Sequence, residues 1–594
     1  PWGGGTTNVN TSWLENSDAS ADDSCQTADD SLQTDAIFES ESMMADELCF
    51  DQEVMLCNDE CKETDHVKRT VSGRAPRRVV RFPWGDVPSP WATGYNTIFE
   101  TGVDDSVYMI EDICTSIEDN DDPTWEQAKR SNESQEWEDA AAVEFDTLER
   151  FGVFEPWPAD KVPPDEDIFD TMLVCKQKRG KGNVVIKKKV RCVLCGNQMV
   201  ESSKRGLSKT TVDLLTHAPS VRHSTLKHAM CVSVLLGMRE RDFDVDGAYL
   251  QGVYADRRVF ARAHKQFRTY DERGVELVWL LRRALYGGPD AGRIWYNTYT
   301  HFLLHEEKET PFQRAHFDPS LFFHVCDDVT ISDHGKGSMV ATRERSPGRI
   351  NLTMYVDDGR TFDNCPAICD AFLDRLAGRF QITRGGGGLT FMIGTDIELG
   401  DGWTKIYSKT YIDGLCAKWL DRPVEEYEGV HTPAHPKLMD LYEAAFQVRD
   451  QASPQLATQF RSLVGALLFP APMSRVECLY AIGVHGRAMG FPTPDLMKTA
   501  LRILVYMGQT SSDGITFSRH ADDASKLVWW SDSDWAVRRS TTGGTGQLGG
   551  GSVCAQSRRQ DCVTGSSTHA EIVAASSNSN DLIWSFVINN YLMG

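Results

Sequence analysis

The charge of this chain is distributed so unevenly that only part of it can fold around a hydrophobic core. Residues 1–122 contain 27 Asp and Glu against 7 Lys and Arg, which leaves 59 of the 86 acids and 55 of the 62 bases for residues 123–594. The first segment is rich in Ser, Thr, Asp and Glu and has no sustained apolar period, so it cannot bury enough surface to offset its ordering entropy. We therefore expect residues 1–122 to be a disordered acidic linker, and the rest to be a nearly neutral folded region.

Length and hydropathy narrow the class of protein further. A chain of 594 residues with 41% hydrophobic content has material for several domains, because one core rarely exceeds roughly 250 to 300 residues. No run approaches the ~18 apolar residues that span a bilayer, and the start lacks the pattern of a signal peptide. We expect a soluble intracellular protein without a membrane partner, and a fragment, because the chain starts at Pro1 and ends at Gly594 without a capping segment.

Two acidic motifs are the first candidates for chemistry. The run from Arg241 to Leu250 alternates acidic and apolar residues before a small-residue turn, and the apolar strand at Met354 enters a hairpin with two adjacent carboxylates, Asp357 and Asp358. Nucleotide addition needs two Mg²⁺ ions roughly 3.5 to 4 Å apart, held by clustered carboxylates. Asp244, Asp357 and Asp358 are the candidate ligands; alternatively, all three are surface turn acids.

Basic residues before these acids could contact phosphate. An amphipathic helix containing Trp137 and Leu148 is predicted to end at Gly152. The segment 176–191 then predicts a hairpin of basic strands with a Gly-rich turn, which is either a phosphate-contacting element or a solvated edge hairpin. Cys192-x2-Cys195 has the spacing of a zinc ribbon, but no second pair follows and the alternation favours a core strand.

Taken in order, the motifs resemble the copia-type reverse transcriptase family over about 470 residues. The matching segments are Trp137-x2-Ala-Ala-x2-Glu144, Lys189-Val-Arg-Cys-Val-Leu-Cys-Gly196, Thr216-His-Ala-Pro-Ser220, Asp244-Val-Asp-Gly-Ala-Tyr-Leu-Gln-Gly252, Leu285-Tyr-Gly-Gly-Pro-Asp-Ala-Gly-Arg-Ile-Trp-Tyr296, Asp318-Pro-Ser-Leu-Phe322 and Tyr355-Val-Asp-Asp358. The resemblance continues through residues 405–520, where helical periods with apolar faces are explained by packing.

The resemblance implies an α+β multidomain fold with a right-hand polymerase. Fingers and palm would occupy residues 123–404, a thumb or connection 405–524, and a partial ribonuclease H-like α/β domain 525–594. It also implies that Asp244, Asp357 and Asp358 hold the metal and that Lys189 and Arg191 hold the incoming triphosphate. Tyr249 would exclude a ribose 2′-hydroxyl sterically, unless it is an ordinary palm aromatic.

Several positions depart from the family pattern around the nucleotide pocket. Asp290 stands where the family has a glutamine, and an acid there would oppose a triphosphate unless a metal or a lysine intervenes. Gly288 and Pro289 replace a Leu-Lys pair. Lys227, a further candidate nucleotide contact, replaces an arginine and loses its planar bidentate donor.

A second acidic constellation begins near the end of the chain. The strand-like run Leu527 to Trp535 contains Asp532, and a helix expected to be capped by Ser567 or Thr568 would present Glu571 from its first turn. These segments resemble the ribonuclease H domain of the same elements, which implies that Asp532 and Glu571 bind metal; without the resemblance, Asp532 is a surface acid. In that family the next catalytic aspartate lies on a strand beyond this helix, and the sequence ends at Gly594 before such a strand appears. We therefore expect little or no ribonuclease H activity.

Together these features predict an RNA-directed DNA polymerase that uses Mg²⁺, two ions per active site, or Mn²⁺. Its expected partners are an RNA template, a DNA primer, an RNA/DNA hybrid, deoxynucleoside triphosphates and other parts of the element polyprotein. The family resemblance implies a cytoplasmic location in a virus-like particle, with a nuclear step. The competing hypothesis is a degenerate remnant that at most binds nucleic acid.

Overall fold

A computed structural model describes residues 122–179, 185–205, 216–254, 257–326, 348–385, 391–536 and 539–593. The expected acidic linker, apart from Asp122, and the Gly-rich turn of the basic hairpin lie outside these ranges. The described residues form four β-sheets and the helices packed on them, so the expected α+β class is confirmed. Within those ranges, no helix is both long enough and apolar enough to cross a membrane.

The first region consists of three helices, a short strand and a long hairpin. Its elements are α1 (Trp125–Arg130), α2 (Ser134–Arg150), β1 (Phe154–Pro158), β2 (Ile168–Arg179), β3 (Val185–Leu194) and α3 (Gly196–Arg205). The predicted helix end is confirmed: Gly152 adopts φ +59°, and the amide of Val153 donates to the carbonyl of Leu148 at 3.0 Å, which closes the last turn of α2. The basic segment pairs as the antiparallel hairpin β2–β3.

The second region begins at α4 and carries the first acidic motif. Its elements are α4 (His223–Leu236), β4 (Arg239–Val245), α5 (Ala248–Gln251), β5 (Val259–Arg262), β6 (Thr269–Tyr270), β7 (Glu276–Leu281), α6 (Ala291–His301), β8 (Gln313–Arg314) and β9 (Leu321–Cys326). Gly237, at φ +61°, ends α4, and the amide of Met238 donates to the carbonyl of Ser233 at 2.8 Å. The chain can therefore reverse directly from α4 into β4.

The third region carries the second acidic motif and continues into a small sheet. Its elements are β10 (Gly348–Tyr355), β11 (Asp358–Asp363), α7 (Pro366–Arg379), β12 (Ile382–Arg384), β13 (Phe391–Met392), β14 (Thr395–Gly400) and β15 (Trp403–Tyr407). Strands β12-β4-β11-β10-β9-β8 form one sheet, hereafter the hairpin sheet. One face of it is covered by aromatic and aliphatic side chains that include Phe243, Trp295 and Phe372, all nearly inaccessible to solvent.

The remaining elements are a helical cluster and a three-stranded sheet with one long helix. They are α8 (Lys409–Trp419), α9 (Leu438–Gln447), α10 (Pro454–Leu468), α11 (Leu479–Arg487), α12 (Pro494–Gln509), β16 (Gly514–Ser518), β17 (Val528–Ser533), β18 (Thr541–Leu548), β19 (Gly551–Arg559) and α13 (Ser567–Met593). The helical periods expected in residues 405–520 are found in α8 to α12, which share a core of their own.

The small sheet β13-β14-β15-β16 connects regions that the sequence separates. A division at residue 404 would cut β15, which pairs with β14 on one side and with β16 on the other. Because β16 follows the helical cluster in sequence, β15–β16 pairing fixes the cluster beside the hairpin sheet.

Candidate active site

The three acids of the first constellation lie at one end of the hairpin sheet. Asp244 on β4 is directly opposite Asp358 on β11, and Asp357 stands in the two-residue turn before β11. The amide of Val245 donates to the carbonyl of Asp357 at 2.9 Å, which ties the turn to β4. Two segments separated by about 110 residues in sequence are therefore adjacent in the fold, as the resemblance implies.

The turn that carries Asp357 is held in an unfavourable backbone conformation. Val356 adopts φ +60°, which is uncommon for a β-branched residue, and such strain persists only where surrounding contacts impose it. The indole of Trp295, buried in α6, donates to the carbonyl of Val356 at 2.6 Å. On the other side, a Cβ on Gly359 would lie 2.1 Å from the ring of Phe243, so only glycine fits beneath the turn.

Burial and repulsion both affect the titration of Asp358. Burial is the larger cause, and together with the charges of Asp357, Asp244 and Asp242 it raises the pKa of Asp358 to about 6. Asp358 is half-buried, whereas Asp244 and Asp357 are exposed. A divalent cation would relieve this repulsion.

The donor set fits a hard divalent cation in its chemistry, because all three groups offer carboxylate oxygens. In the described parts of the chain, however, no three His, Cys, Asp or Glu side chains converge with the geometry of a metal site. The fold therefore juxtaposes the backbone positions of Asp244, Asp357 and Asp358, and their assignment as metal ligands stays a prediction.

Two of the predicted nucleotide contacts lie near the acids. The phenol of Tyr249 has its pKa raised by burial and by the charge of Asp357, and lowered by Arg191. Tyr286 stands beside both residues, with its ring 6.0 Å from that of Tyr249 and 5.3 Å from the Arg191 guanidinium carbon. Arg191 on β3 and Tyr249 on α5 thus border the same space as Asp357.

Tyr286 was part of a matched motif but had no role assigned from the sequence. Its carbonyl accepts a hydrogen bond from the amide of Leu194 at 2.7 Å, which docks its segment on the end of β3. The next residue, Gly287, has φ +80°, and a Cβ there would lie 2.3 Å from the side chain of Val193. The glycine therefore permits the close approach that brings Tyr286 to Arg191.

Lys189 lies on the same face of β3 as Arg191, and a buried acid lies beside both. The carboxylate of Glu144 on α2 accepts a hydrogen bond from the amide of Cys192 at 3.1 Å. Burial raises the pKa of Glu144, while that hydrogen bond and the charges of Lys189 and Arg191 lower it. Glu144 thus connects α2 to the strand that carries the two cations.

Lys227 does not join this group. It lies in α4 with 1% of its surface exposed, and its ammonium donates to the carbonyl of Pro472 at 2.7 Å. Burial lowers its pKa to about 8. In this conformation Lys227 offers almost no surface to a triphosphate, and its ammonium group is engaged by the backbone of the segment that contains Pro472.

The acid at position 290 is neutralised from within the protein. Asp290 is 3% exposed and forms an ion pair with Arg257, so the neutralising group is an arginine rather than the expected metal or lysine. The second carboxylate oxygen of Asp290, Oδ1, is buried without a hydrogen-bond partner among the described residues. Asp290 thus does not present an exposed charge to the space near Tyr249. No local pattern pointed to Arg257.

The second acidic constellation forms a looser arrangement. Asp532 on β17 is opposite Gly543 on β18, and Asn578 of α13 donates to the hydroxyl of Ser531 at 2.7 Å and to the carbonyl of Gly543 at 2.9 Å. Glu571 lies two turns before Asn578 on α13, and both it and Asp532 are exposed.

The expected cap of α13 is wrong by one residue. Ser566 accepts a hydrogen bond from the amide of His569 at 3.2 Å, so it caps the helix in place of Ser567 or Thr568. As a result, Glu571 lies in the second turn rather than the first, where no acid is found. Asp581, farther along α13, is paired with Arg558 at 2.8 Å.

The chain is similar in sequence to transposon polyproteins. The retrovirus-related Pol polyprotein from transposon RE1 of Arabidopsis thaliana is 27% identical over 374 residues, which are 62% of this chain and 23% of that protein. The corresponding polyprotein from transposon TNT 1-94 of Nicotiana tabacum is 21% identical over 454 residues, 75% of this chain and 31% of its own length. The chain thus spans between 23% and 31% of the length of these relatives.

Solved structures give a weaker likeness. A foamy viral protease-reverse transcriptase in complex with double-stranded DNA matches 75% of this chain and 60% of its own, with a TM-score of 0.35 and 11% identity. A TM-score of 0.35 is too low to assign a shared fold, so the fold is defined by the sheets and helices described above. No family model matches the chain.

Proposed function

We propose that this chain, which is similar to the Pol polyproteins of retrotransposons, is an RNA-directed DNA polymerase that copies element RNA into DNA. The observation that carries the proposal is the placement of Asp244 opposite Asp358, with Asp357 in the adjoining turn. The proposed polymerase comprises fingers and palm in residues 123–404 and a thumb or connection in 405–524.

The three acids would hold two Mg²⁺ ions, with Mn²⁺ as an alternative. Bound there, the ions would favour deprotonation of the primer hydroxyl and neutralise the pyrophosphate that leaves. The protein's own contribution is to hold the carboxylates at fixed positions: β4 supplies Asp244, and the turn held by Trp295 supplies Asp357. The raised pKa of Asp358 supports a site built to receive positive charge.

The deoxynucleoside triphosphate would lie between β3 and α5. Arg191 and Lys189 share a face of β3, and fixed cations there would bind phosphate oxygens. Tyr249, beside Asp357, would contact the sugar and exclude a 2′-hydroxyl. Lys227 takes no part in this proposal because it is buried against Pro472.

The C-terminal sheet carries a separate proposal. Asp532 and Glu571 would be metal ligands of a ribonuclease H-like unit in residues 525–594 that acts on the RNA of an RNA/DNA hybrid, with little or no activity expected from these two acids alone. We also propose that the polymerase works on an RNA template and a DNA primer beside other parts of the element polyprotein, in a cytoplasmic virus-like particle with a nuclear step.

Primer extension distinguishes the enzyme from an inert relative that only binds nucleic acid. The purified chain, Mg²⁺ and deoxynucleoside triphosphates should extend a DNA primer on an RNA template. Binding of the primer–template without extension, in Mg²⁺ and in Mn²⁺, would overturn the polymerase assignment. The buried Lys227 and the altered pocket at Asp290 are the features that favour the inert relative.

A further inference from the structure

The last turn of α13 packs directly on the strand that leads to the catalytic turn. The ring of Tyr591 lies edge-on to Phe317 and Phe323, with centroid distances of 4.9 and 4.7 Å. The guanidinium carbon of Arg349, at the start of β10, lies 4.8 Å from the Phe323 ring and 5.5 Å from the Tyr591 ring. A cation between two aromatic faces out of water is an attractive arrangement.

Polar groups of β10 bind the same turn of α13. Arg349 donates to the carbonyl of Tyr591 and, at 2.9 Å, to the side chain of Asn351, whose amide group lies 3.4 Å from the carbonyl of Leu592. Carbonyls in a last helical turn lack intrahelical donors and carry partial negative charge. Arg349 and Asn351 are both buried, so loss of these partners would leave polar groups without water.

Apolar side chains extend the contact between α13 and β10 to β11 and α4. Ile588 and Leu592 of α13 are completely buried, in one core with Phe362 of β11 and Leu226 of α4. His228 of α4 also meets a ring of α13, that of Trp584, edge-on at 6.1 Å. The long helix of the C-terminal unit is therefore embedded in the structure behind the hairpin sheet.

The contact is placed to act on the catalytic turn through one rigid strand. Asp357 lies six positions after Asn351, and the strand between them, which ends at Tyr355, corresponds to roughly 13 Å of extended chain. In this stretch β10 is paired with β9 as far as Thr353 and with β11 as far as Tyr355, so it cannot bend independently of its neighbours. A shift at Arg349 would therefore be carried along the strand to the turn that holds Asp357.

We propose that the last turn of α13 is a positioning element of the polymerase site, in which Tyr591 and Arg349 hold β10 and thereby the catalytic turn. This inference rests on the proposed polymerase function for its effect on rate. Neither residue contacts the reacting atoms. The C-terminal unit thus serves DNA synthesis through its helix, independently of any nuclease activity.

Three substitutions on α13 test the proposal. Tyr591→Leu removes the ring. Tyr591→Phe keeps the ring and loses only a buried hydroxyl that has no hydrogen-bond partner among the described residues. Phe586→Leu is the matched control, because Phe586 lies on the same helix with 55% of its surface exposed.

Hydrogen exchange of the full chain without nucleic acid is the first measurement. We expect Tyr591→Leu to accelerate amide exchange in β10 and β11 at least tenfold, relative to α10, whose core is separate. Tyr591→Phe and Phe586→Leu should each stay within twofold of the parent chain. Unchanged exchange in β10, or equal acceleration in α10, would overturn the proposal.

Steady-state primer extension is the second measurement. Tyr591→Leu should lower kcat about tenfold, with KM for the deoxynucleotide within twofold, because the turn is misplaced while the β3 contacts remain. The proposal requires that Tyr591→Phe, which keeps the ring, retain the kcat of the parent chain. If exchange in β10 responds but the parent chain does not extend primers, the role of α13 in holding β10 stands and the polymerase assignment falls. If kcat is unchanged while exchange responds, the positioning role in catalysis is overturned.

Discussion

Asp358 is the residue whose chemistry the fold changes most directly. Its carboxylate is half-buried beside three other acids, and the pKa rises to about 6 from an ordinary value near 3.8. The folded protein binds the proton of the Asp358 carboxyl more tightly than the unfolded chain does. The free energy of unfolding therefore falls as the pH rises from about 4 to about 6, and above pH 6 it stays lower by the full amount. The site is thus strained electrostatically at neutral pH in the absence of cations.

Replacing Asp358 by Asn should remove that cost. At pH 7 we expect the variant to be more stable than the parent chain by about 1 to 3 kcal/mol, and at pH 4 the difference should vanish, since the parent carboxyl is then protonated. Urea unfolding at the two pH values measures both. Asp522→Asn, at an exposed position, is the control, and an equal gain at both pH values would contradict the account.

Tyr249 tests the proposed contact with the sugar. Tyr249→Val should lower the preference for deoxynucleotides over ribonucleotides by about tenfold or more, because the smaller side chain leaves room for a 2′-hydroxyl. Competing kcat/KM values for the two nucleotides give the ratio. Tyr270→Val, at a position 60% exposed, should leave the ratio unchanged; if Tyr249→Val does so too, Tyr249 is an ordinary palm aromatic.

The β10–β11 hairpin is the element on which the site depends. Val356 in its turn has a positive φ, and Gly359, just after the turn, has no side chain and packs closely on Phe243. The two acids therefore lie at the end of a closely packed hairpin. The sequence pattern of an apolar strand, two acids and a glycine predicts such a turn. Neither Phe243 under Gly359 nor Trp295 beside Val356 could be paired with it from sequence, because both arrive from other elements.

Gly359→Ala should destabilise the chain by about 1 to 3 kcal/mol, because its Cβ would overlap the buried ring of Phe243. Gly378→Ala provides a matched control. Gly378 lies in α7 with nothing within 4 Å of an added Cβ, so alanine there should stabilise the helix by up to about 1 kcal/mol. Denaturant unfolding compares the two, and equal effects would contradict the packing assigned to Gly359.

Local patterns predicted local structure well, and long-range pairing poorly. The helix that ends at Gly152, the basic hairpin and the acidic turn all follow from periodicity and turn residues, which act over a few positions. The neutralisation of Asp290 by Arg257 and the burial of Lys227 against Pro472 depend on which segments meet in three dimensions. For that reason, the resemblance made Lys227 a candidate nucleotide contact, whereas the fold buries it against Pro472.

At the scale of the whole molecule, charge is segregated between the acidic segment 1–122 and the nearly neutral remainder. Acids tethered to a nucleic-acid-binding protein compete with phosphate for its cations, and the competition is screened by salt. The segment should therefore weaken binding of RNA/DNA hybrid at low ionic strength.

Exchanging the Asp and Glu of residues 1–122 for Asn and Gln should tighten binding of an RNA/DNA hybrid about tenfold or more at 50 mM salt. The difference should shrink to within twofold at about 0.5 M, where the Debye length is only a few ångströms. Fluorescence anisotropy titrations at both concentrations give the ratio. A gain that persists at high salt would show that the segment acts other than through its charge.

The close association of segments distant in sequence was not predictable. Motif order predicts a polymerase followed by a ribonuclease H-like unit as separate regions, yet β15 connects the hairpin sheet region to the helical cluster, and Leu592 of α13 shares a core with Phe362 of β11. Both contacts join residues distant in sequence, which periodicity within one element does not reveal.

Single-nucleotide extension of a DNA primer on an RNA template, measured for matched Asp→Asn variants, tests the central claim most directly. Asp244→Asn, Asp357→Asn and Asp358→Asn should each lower kcat at least about a thousandfold while primer–template binding stays within a few-fold, because removal of one carboxylate disrupts the group of acids proposed to hold the metal ions. Asp522→Asn should extend primers like the parent chain. Extension that survives substitution of Asp357, or that is lost equally with Asp522, would contradict the assignment of this site.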